Sequence, residues 1–104
     1  MFFEYESISF RLLGVVWLDQ TNSKSSNIDR PHSSLSFRLE ADTLIETAAG
    51  QHLKLGSGSL SYVPAHLSYF RSAARDRMIV IDFETSDYTS GEFETITPKD
   101  PARY

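Results

Sequence analysis
Hydrophobic and polar residues alternate along most of this chain with a period of two, the signature of strands with one buried face. Leu35, Phe37 and Leu39 are separated by Ser36, Arg38 and Glu40. Leu53 and Leu55 alternate with His52 and Lys54, and Leu60 and Tyr62 with Ser59 and Ser61. Residues 8–18 are apolar and β-branched, which predicts one long strand or two halves bent at Gly14. The segment 19–34 is polar and rich in Ser and Asn, and is expected as a long loop. Strands are expected over 35–39, 44–47, 53–55, 60–63 and 67–70, with a tight bend at Ala41-Asp42 and a hairpin turn at Ala49-Gly50. Gly56 and Gly58 permit positive φ in the turn that follows. Pro64 cannot donate to a ladder, so the 60–63 strand ends there. Residues 73–77 read as a charged turn or single helical turn, and 78–83, Met-Ile-Val-Ile-Asp-Phe, as the central strand.

From Thr85 onward the chain is polar, carries Pro98 and Pro101, and shows no helical stripe. It reads as a tail or the start of a linker, with an edge strand around 93–96. The expected organisation is one domain over 1–86 and a tail over 87–104. Short strands separated by turns predict an all-β sandwich or barrel.

Composition narrows the function classes. The 104 residues hold no cysteine, so disulfides and thiolate metal sites are unavailable. The net charge is −4 and no basic stripe tracks a phosphate backbone, so direct nucleic-acid binding by this segment is not expected. No apolar run spans a bilayer, and the acidic start lacks the basic region of a signal peptide, so a cytoplasmic, non-membrane protein is expected. No Gly-x-Ser-x-Gly elbow and no phosphate loop occur. Glu40, Asp42 and Glu46 surround one hairpin and read as a solvated rim. No catalytic constellation is expected.

The turn 58–64, Gly-Ser-Leu-Ser-Tyr-Val-Pro, resembles the second motif of the cupin barrel: a Gly, five residues, a Pro, then a Gly and a metal-binding His. His66 stands where that motif has its second Gly, and Tyr69 where it has the His. Together with Arg30-Pro31-His32, the alternating 35–39 strand, Ile45-Glu46 and Leu53-Lys54-Leu55, the chain over about 8–86 resembles the effector-binding domain of AraC-type transcription regulators. It departs from that pattern at Ala41 and Ser59, where the family has Gly and Asp. The resemblance implies a cupin-like antiparallel β-barrel or jelly-roll sandwich. It also implies sensing of a small-molecule effector, such as a sugar or small acid, and homodimerisation, with DNA bound only through a separate domain. Neither register of the first motif assembles metal ligands from 28–34, so no metal, cofactor or catalysis is expected. The rival is a free-standing cupin enzyme acting on a sugar or small acid.

Six residues are candidates for effector contact. Arg38 can pair with a carboxylate or donate to sugar hydroxyls; simple alternation puts it in water, whereas the family register points it, with Ser34 and Ser36, inward. Tyr69 replaces the metal His, or is a core tyrosine. Trp17 offers a flat stacking wall, or is structural. His66 follows the strand-ending proline at the barrel mouth, and His32 ends the long loop; each is otherwise a surface histidine. Tyr62 lines the interior, or is core. Effector binding is expected to order the 19–34 loop or the N-terminal segment and change packing on the DNA-binding partner.

Overall fold
The computed structural model describes residues 2–4, 9–85 and 91–97. A 3-10 turn at Phe2–Glu4 precedes six strands: β1 Arg11–Asn27, β2 Ser33–Thr47, β3 His52–Gly56, β4 Leu60–Val63, β5 Tyr69–Glu84 and β6 Glu94–Ile96. They form one antiparallel sheet in the order β1-β5-β2-β4-β6. The far edge of β2 is shared: its first half pairs with β4 and its second half with β3.

Length forces this sheet to fold over. At about 3.3 Å per residue, the 16 residues of β5 would extend roughly 50 Å. The longest dimension of the molecule is 35 Å. The three long strands therefore turn a shared corner. Asn22 at the corner of β1 has φ 50°, and β2 slips register against β5 between Arg38 and Glu40 and between Asp42 and Thr43. Such bulges bend a strand and re-aim its side chains. On β2 the alternating buried positions are Ser34, Ser36 and Arg38 before the corner and Thr43, Ile45 and Thr47 after it, with Ser33 buried at the strand start. On β5 the inward ones are Arg71 and Ala73, then Asp76 and Met78, while Phe83 near the strand end is buried on the other face under Phe2. The inward face thus changes phase at the corner. The outcome is the jelly-roll-like sandwich form of the expected cupin-like fold.

Several elements differ from the expected ones. The polar loop at 19–34 is strand as far as Asn27, because its hydroxyls and amide face the interior and accept hydrogen bonds from Arg71. The bend at Ala41-Asp42 is a bulged passage inside one continuous strand. Residues 73–77 are the middle of β5, since the charges that suggested a turn are paired: Asp76 in the interior and Arg75 with Asp19 and Glu40. Gly58 has the positive φ expected of it, 85°, but Gly56 does not. The expected edge strand forms as β6 on β4, and Phe93 before it is buried, so part of the 87–104 segment belongs to the sheet.

Ile45, Leu55, Val63, Leu67 and Phe93 form the apolar core, with Leu53 and Tyr69 against it. It lies where the later half of β2 meets β3 and the end of β4. The opposite, outward face of the sheet is also apolar. One row runs Val15, Ile81, Leu35, Tyr62, and the next Trp17, Ile79, Phe37, Leu60, Ile96. Phe2 stacks on Tyr62 at 4.4 Å and lies 6.0 Å from Phe83, covering one end of this face. Val15 and Trp17 remain 62% and 50% exposed.

Candidate functional site
Between the layers of the folded sheet, beside the apolar core, lies a partly open pocket of about 240 Å³. Both arms of β5 line it, Tyr69 and Arg71 from one and Met78, Val80 and Asp82 from the other. β1 contributes Val16 and Leu18 from one arm, Ser25 and Asn27 from the other, and Gln20. Ser36 and Arg38 enter from β2, and Arg30 from the connection before it. The lining mixes apolar side chains of β1 and β5 with polar and charged ones, among them three arginines, so the site can offer both a hydrophobic wall and convergent donors.

Asp76 organises the polar part. It sits at the corner of β5, wholly removed from solvent. Its Oδ2 accepts from Arg71 Nε at 2.9 Å, and its Oδ1 lies 3.2 Å from Arg38 Nε. The first contact is a hydrogen bond; the second is an ion pair too far off axis to be one. One carboxylate therefore joins the two arms of the sheet through two guanidiniums, themselves 3% and 5% exposed.

The two arginines are not equally satisfied. Arg71 donates further to Gln20 Oε1 at 2.9 Å and to Ser23 Oγ and Ser25 Oγ at 3.3 and 3.5 Å. Arg38 donates only to Ser61 Oγ, at 3.2 Å, among the described residues. Burial lowers the Arg38 pKa; Asp76 opposes that shift. The backbone of Arg38 is nonetheless held firmly. Its N–H donates to the Ser59 carbonyl at 3.0 Å, and its carbonyl accepts from Gly58 N–H at 2.7 Å. The glycine turn thus clamps Arg38, which explains why the turn needs a residue at φ 85°.

At the rim, Asp82 Oδ1 accepts from Ser34 Oγ at 2.7 Å and lies 3.4 Å from His32 Nε2. Arg30 Nη2 donates to Ser34 Oγ at 3.4 Å, with its guanidinium carbon 5.9 Å from the Tyr69 ring centre. His66 N–H donates to the Arg30 carbonyl at 2.7 Å, and its Nδ1 sits 2.7 Å from Asp29 Oδ1.

Of the six candidates, Arg38 and Tyr69 line the cavity. Arg38 points inward as in the family register, so the Leu35–Phe37–Leu39 side of β2 is the outward one. His32 reaches the site only through Asp82. His66 is exposed and does not line the cavity; it fixes the Arg30 loop from outside. Trp17 is on the outward face under the Arg77 guanidinium, 5.2 Å from its ring centre, because the odd positions of this arm of β1 face out. Tyr62 is buried on that same outward face against Phe2, and its neighbour Ser61 points inward to Arg38. Arg30, Arg71, Asp76 and Asp82 were not singled out as ligand-contacting residues. Their sequence mark is faint: charged residues spaced in strand phase on either side of a bulge.

These features define a cupin-like β-sandwich domain with a small-molecule-sized interior. Among solved structures, the chain is similar to the oxalate decarboxylase of Bacillus subtilis, a protein described with Mn(II) centres. The match has 14% identity and a TM-score of 0.51, over 84% of this chain and 24% of that one. A mutant of the same decarboxylase gives 14% identity and a TM-score of 0.51, over 88% and 24%. The chain therefore spans about a quarter of the length of these neighbours, and the likeness is one of fold. No protein-family model matches the chain, and no curated protein does. Among the described residues, no helix is long and apolar enough to cross a membrane.

A manganese ion does not suit this cavity. Such ions take carboxylate, imidazole and water ligands. Here three guanidiniums, hydroxyls and the lone carboxylate of Asp82 line the space, and Tyr69 stands at the expected late-histidine position. Among the described residues, no three His, Asp or Glu side chains gather as a metal-binding group.

Proposed function
We propose that this chain is the effector-sensing and dimerising domain of an AraC-type transcription regulator, acting by binding a small molecule and not by catalysis. The observation that carries this reading is Arg38: a buried guanidinium that shares one carboxylate with Arg71, has one side-chain hydrogen bond to Ser61, and lines a cavity of ligand size. A polar group so poorly satisfied in the interior is costly. A bound molecule with acceptor atoms relieves that cost. The misfit of the cavity to a metal ion favours recognition over the chemistry of the decarboxylase neighbours.

Sensing then has a physical route. Arg30, Arg38, Arg71 and Asp76 connect β1, β2 and both arms of β5, so a ligand among them biases the packing of the two layers. Only residues 28–32 lie between β1 and β2, so the segment a ligand would rearrange is this short connection and not the whole 19–34 segment. Homodimerisation is supported by the outward apolar rows. β1 is a 17-residue edge strand with Val15 and Trp17 exposed, and edges of this kind are normally covered. A second β1 running antiparallel across a two-fold axis presents the same alternation and covers it. DNA contact belongs to a separate domain, and the setting is the cytoplasm.

The test is a thermal-shift screen of the purified domain against small acids and neutral sugars, with turnover of each followed in parallel. Stabilisation by one compound without its conversion supports the sensor. Conversion of that compound supports the cupin enzyme instead.

A further inference from the structure
We infer that the cavity ligand is a small monocarboxylate whose carboxylate pairs with Arg38 and whose hydrocarbon part lies against Val16, Leu18, Met78 and Val80. The inference rests on the sensing role proposed above and names the ligand class. It follows from charge balance in a pocket whose deep arginines are buried. Arg30, Arg38 and Arg71 line the cavity; Asp76 behind it and Asp82 at its rim are the carboxylates that face them. Asp76 is divided between Arg38 and Arg71, and Asp82 is engaged by Ser34 and His32. The cluster carries one positive charge in excess. In the interior an uncompensated charge is strongly unfavourable.

The excess is localised. Arg71 has acceptors for each of its nitrogens, whereas Nη2 of Arg38 donates to no protein group among the described residues. Arg30 is the second open cation, held over Tyr69 by one long hydrogen bond. A neutral sugar would supply acceptors but leave the charge. A phosphate dianion would overshoot it. A carboxylate matches the single charge and suits the planar fork of a guanidinium. Size agrees: 240 Å³ is about eight times the share of liquid volume held by one water. That admits an acid of a few carbons up to a single ring. The apolar side chains on β1 and β5 receive its body.

The experiment is isothermal titration of the intact chain with butyrate and benzoate, with their amides butyramide and benzamide, and with glucose and xylose. The acids are expected to bind, with each amide weaker by about tenfold or more, the loss of a charge-assisted pair. Arg38→Met is expected to abolish acid binding. If circular dichroism shows that variant unfolded, Arg30→Met replaces it and is expected to weaken the acids several-fold while leaving the fold intact. Equal binding of acid and amide overturns the inference, as does acid binding that survives a folded Arg38→Met or is unchanged in Arg30→Met. Sugars binding while acids do not overturns the inference but leaves the sensing role standing. Silence from both classes overturns both.

Discussion

Replacing Asp76 by Asn is the sharpest perturbation of this fold. Asn keeps the side-chain shape and one acceptor but removes the charge shared by Arg38 and Arg71. Arg38 and Arg71 are 3% and 5% exposed, so water in the pocket replaces the lost charge only in part. Breaking a buried ion pair by deleting one partner costs about 3–5 kcal/mol. A single domain has about 5–15 kcal/mol to lose. With a urea slope of about 1.5 kcal/mol per molar, a loss of about 4 kcal/mol moves the unfolding midpoint down by more than ~2 M. Equilibrium unfolding by far-ultraviolet circular dichroism measures it; Trp17, half exposed on the outward face, is a poor reporter of the interior. Adding Arg71→Gln to Asp76→Asn removes one orphaned cation and is expected to restore part of the loss, a coupling a double-mutant cycle isolates. A loss below ~1 kcal/mol, in the range of exposed pairs, would refute the claim that Asp76 neutralises two buried cations.

Three further outcomes follow from other parts of the molecule. Val15→Arg with Trp17→Glu places charge on the outward rows and is expected to convert a dimer to a monomer in sedimentation velocity; a native monomer contradicts the dimer proposal. Gly58→Ala puts a side chain at φ 85° and is expected to cost about 1 kcal/mol or more in urea unfolding, with weaker ligand binding because the turn clamps Arg38; wild-type stability contradicts it. The hydrogen bond from Arg75, with Arg77 nearby, holds the Glu40 carboxyl below its ordinary value of 4.5. A depressed folded pKa means that its stabilisation is full above the ordinary value and is lost as pH falls through the folded one. In a carbon-13 titration the Glu40 midpoint is expected to rise in Arg75→Met, and an unchanged midpoint contradicts the pairing.

Much of the sheet was legible because alternation survives wherever a strand is straight. The strands at 53–55 and 60–63, the Ala49-Gly50 turn, the stop at Pro64 and the short late strand all follow from local chemistry. The corner was not legible. There the buried face changes phase on β1, β2 and β5 at once, and bulged strand chemistry looks like turn chemistry: Asn22, Ala41-Asp42 and the run Arg75-Asp76-Arg77. The site suffers from the same ambiguity. Arg38 was found through the family register, against the simple alternation that places it in water. Arg71 and Asp76 were missed because a charge between two apolar stretches normally marks solvent, and only folding brings them under Arg38. Tyr62 and Trp17 drew notice as aromatics, yet their odd and even positions put them on the outward face. Hydrophobicity alone could not tell the two faces apart, since the outward one is apolar and the inward one carries serines and arginines.

The central claim is that Arg38 is a buried, incompletely satisfied cation facing a ligand cavity. Nitrogen-15 spectra of the arginine Nε–H groups, recorded with increasing benzoate, address it directly. The expected result is a slowly exchanging, protected Arg38 signal that moves on titration, while the signal of exposed Arg11 stays still. An Arg38 signal that exchanges as fast as that of Arg11, or a benzoate response confined to the Trp17 indole on the outward face, would contradict it.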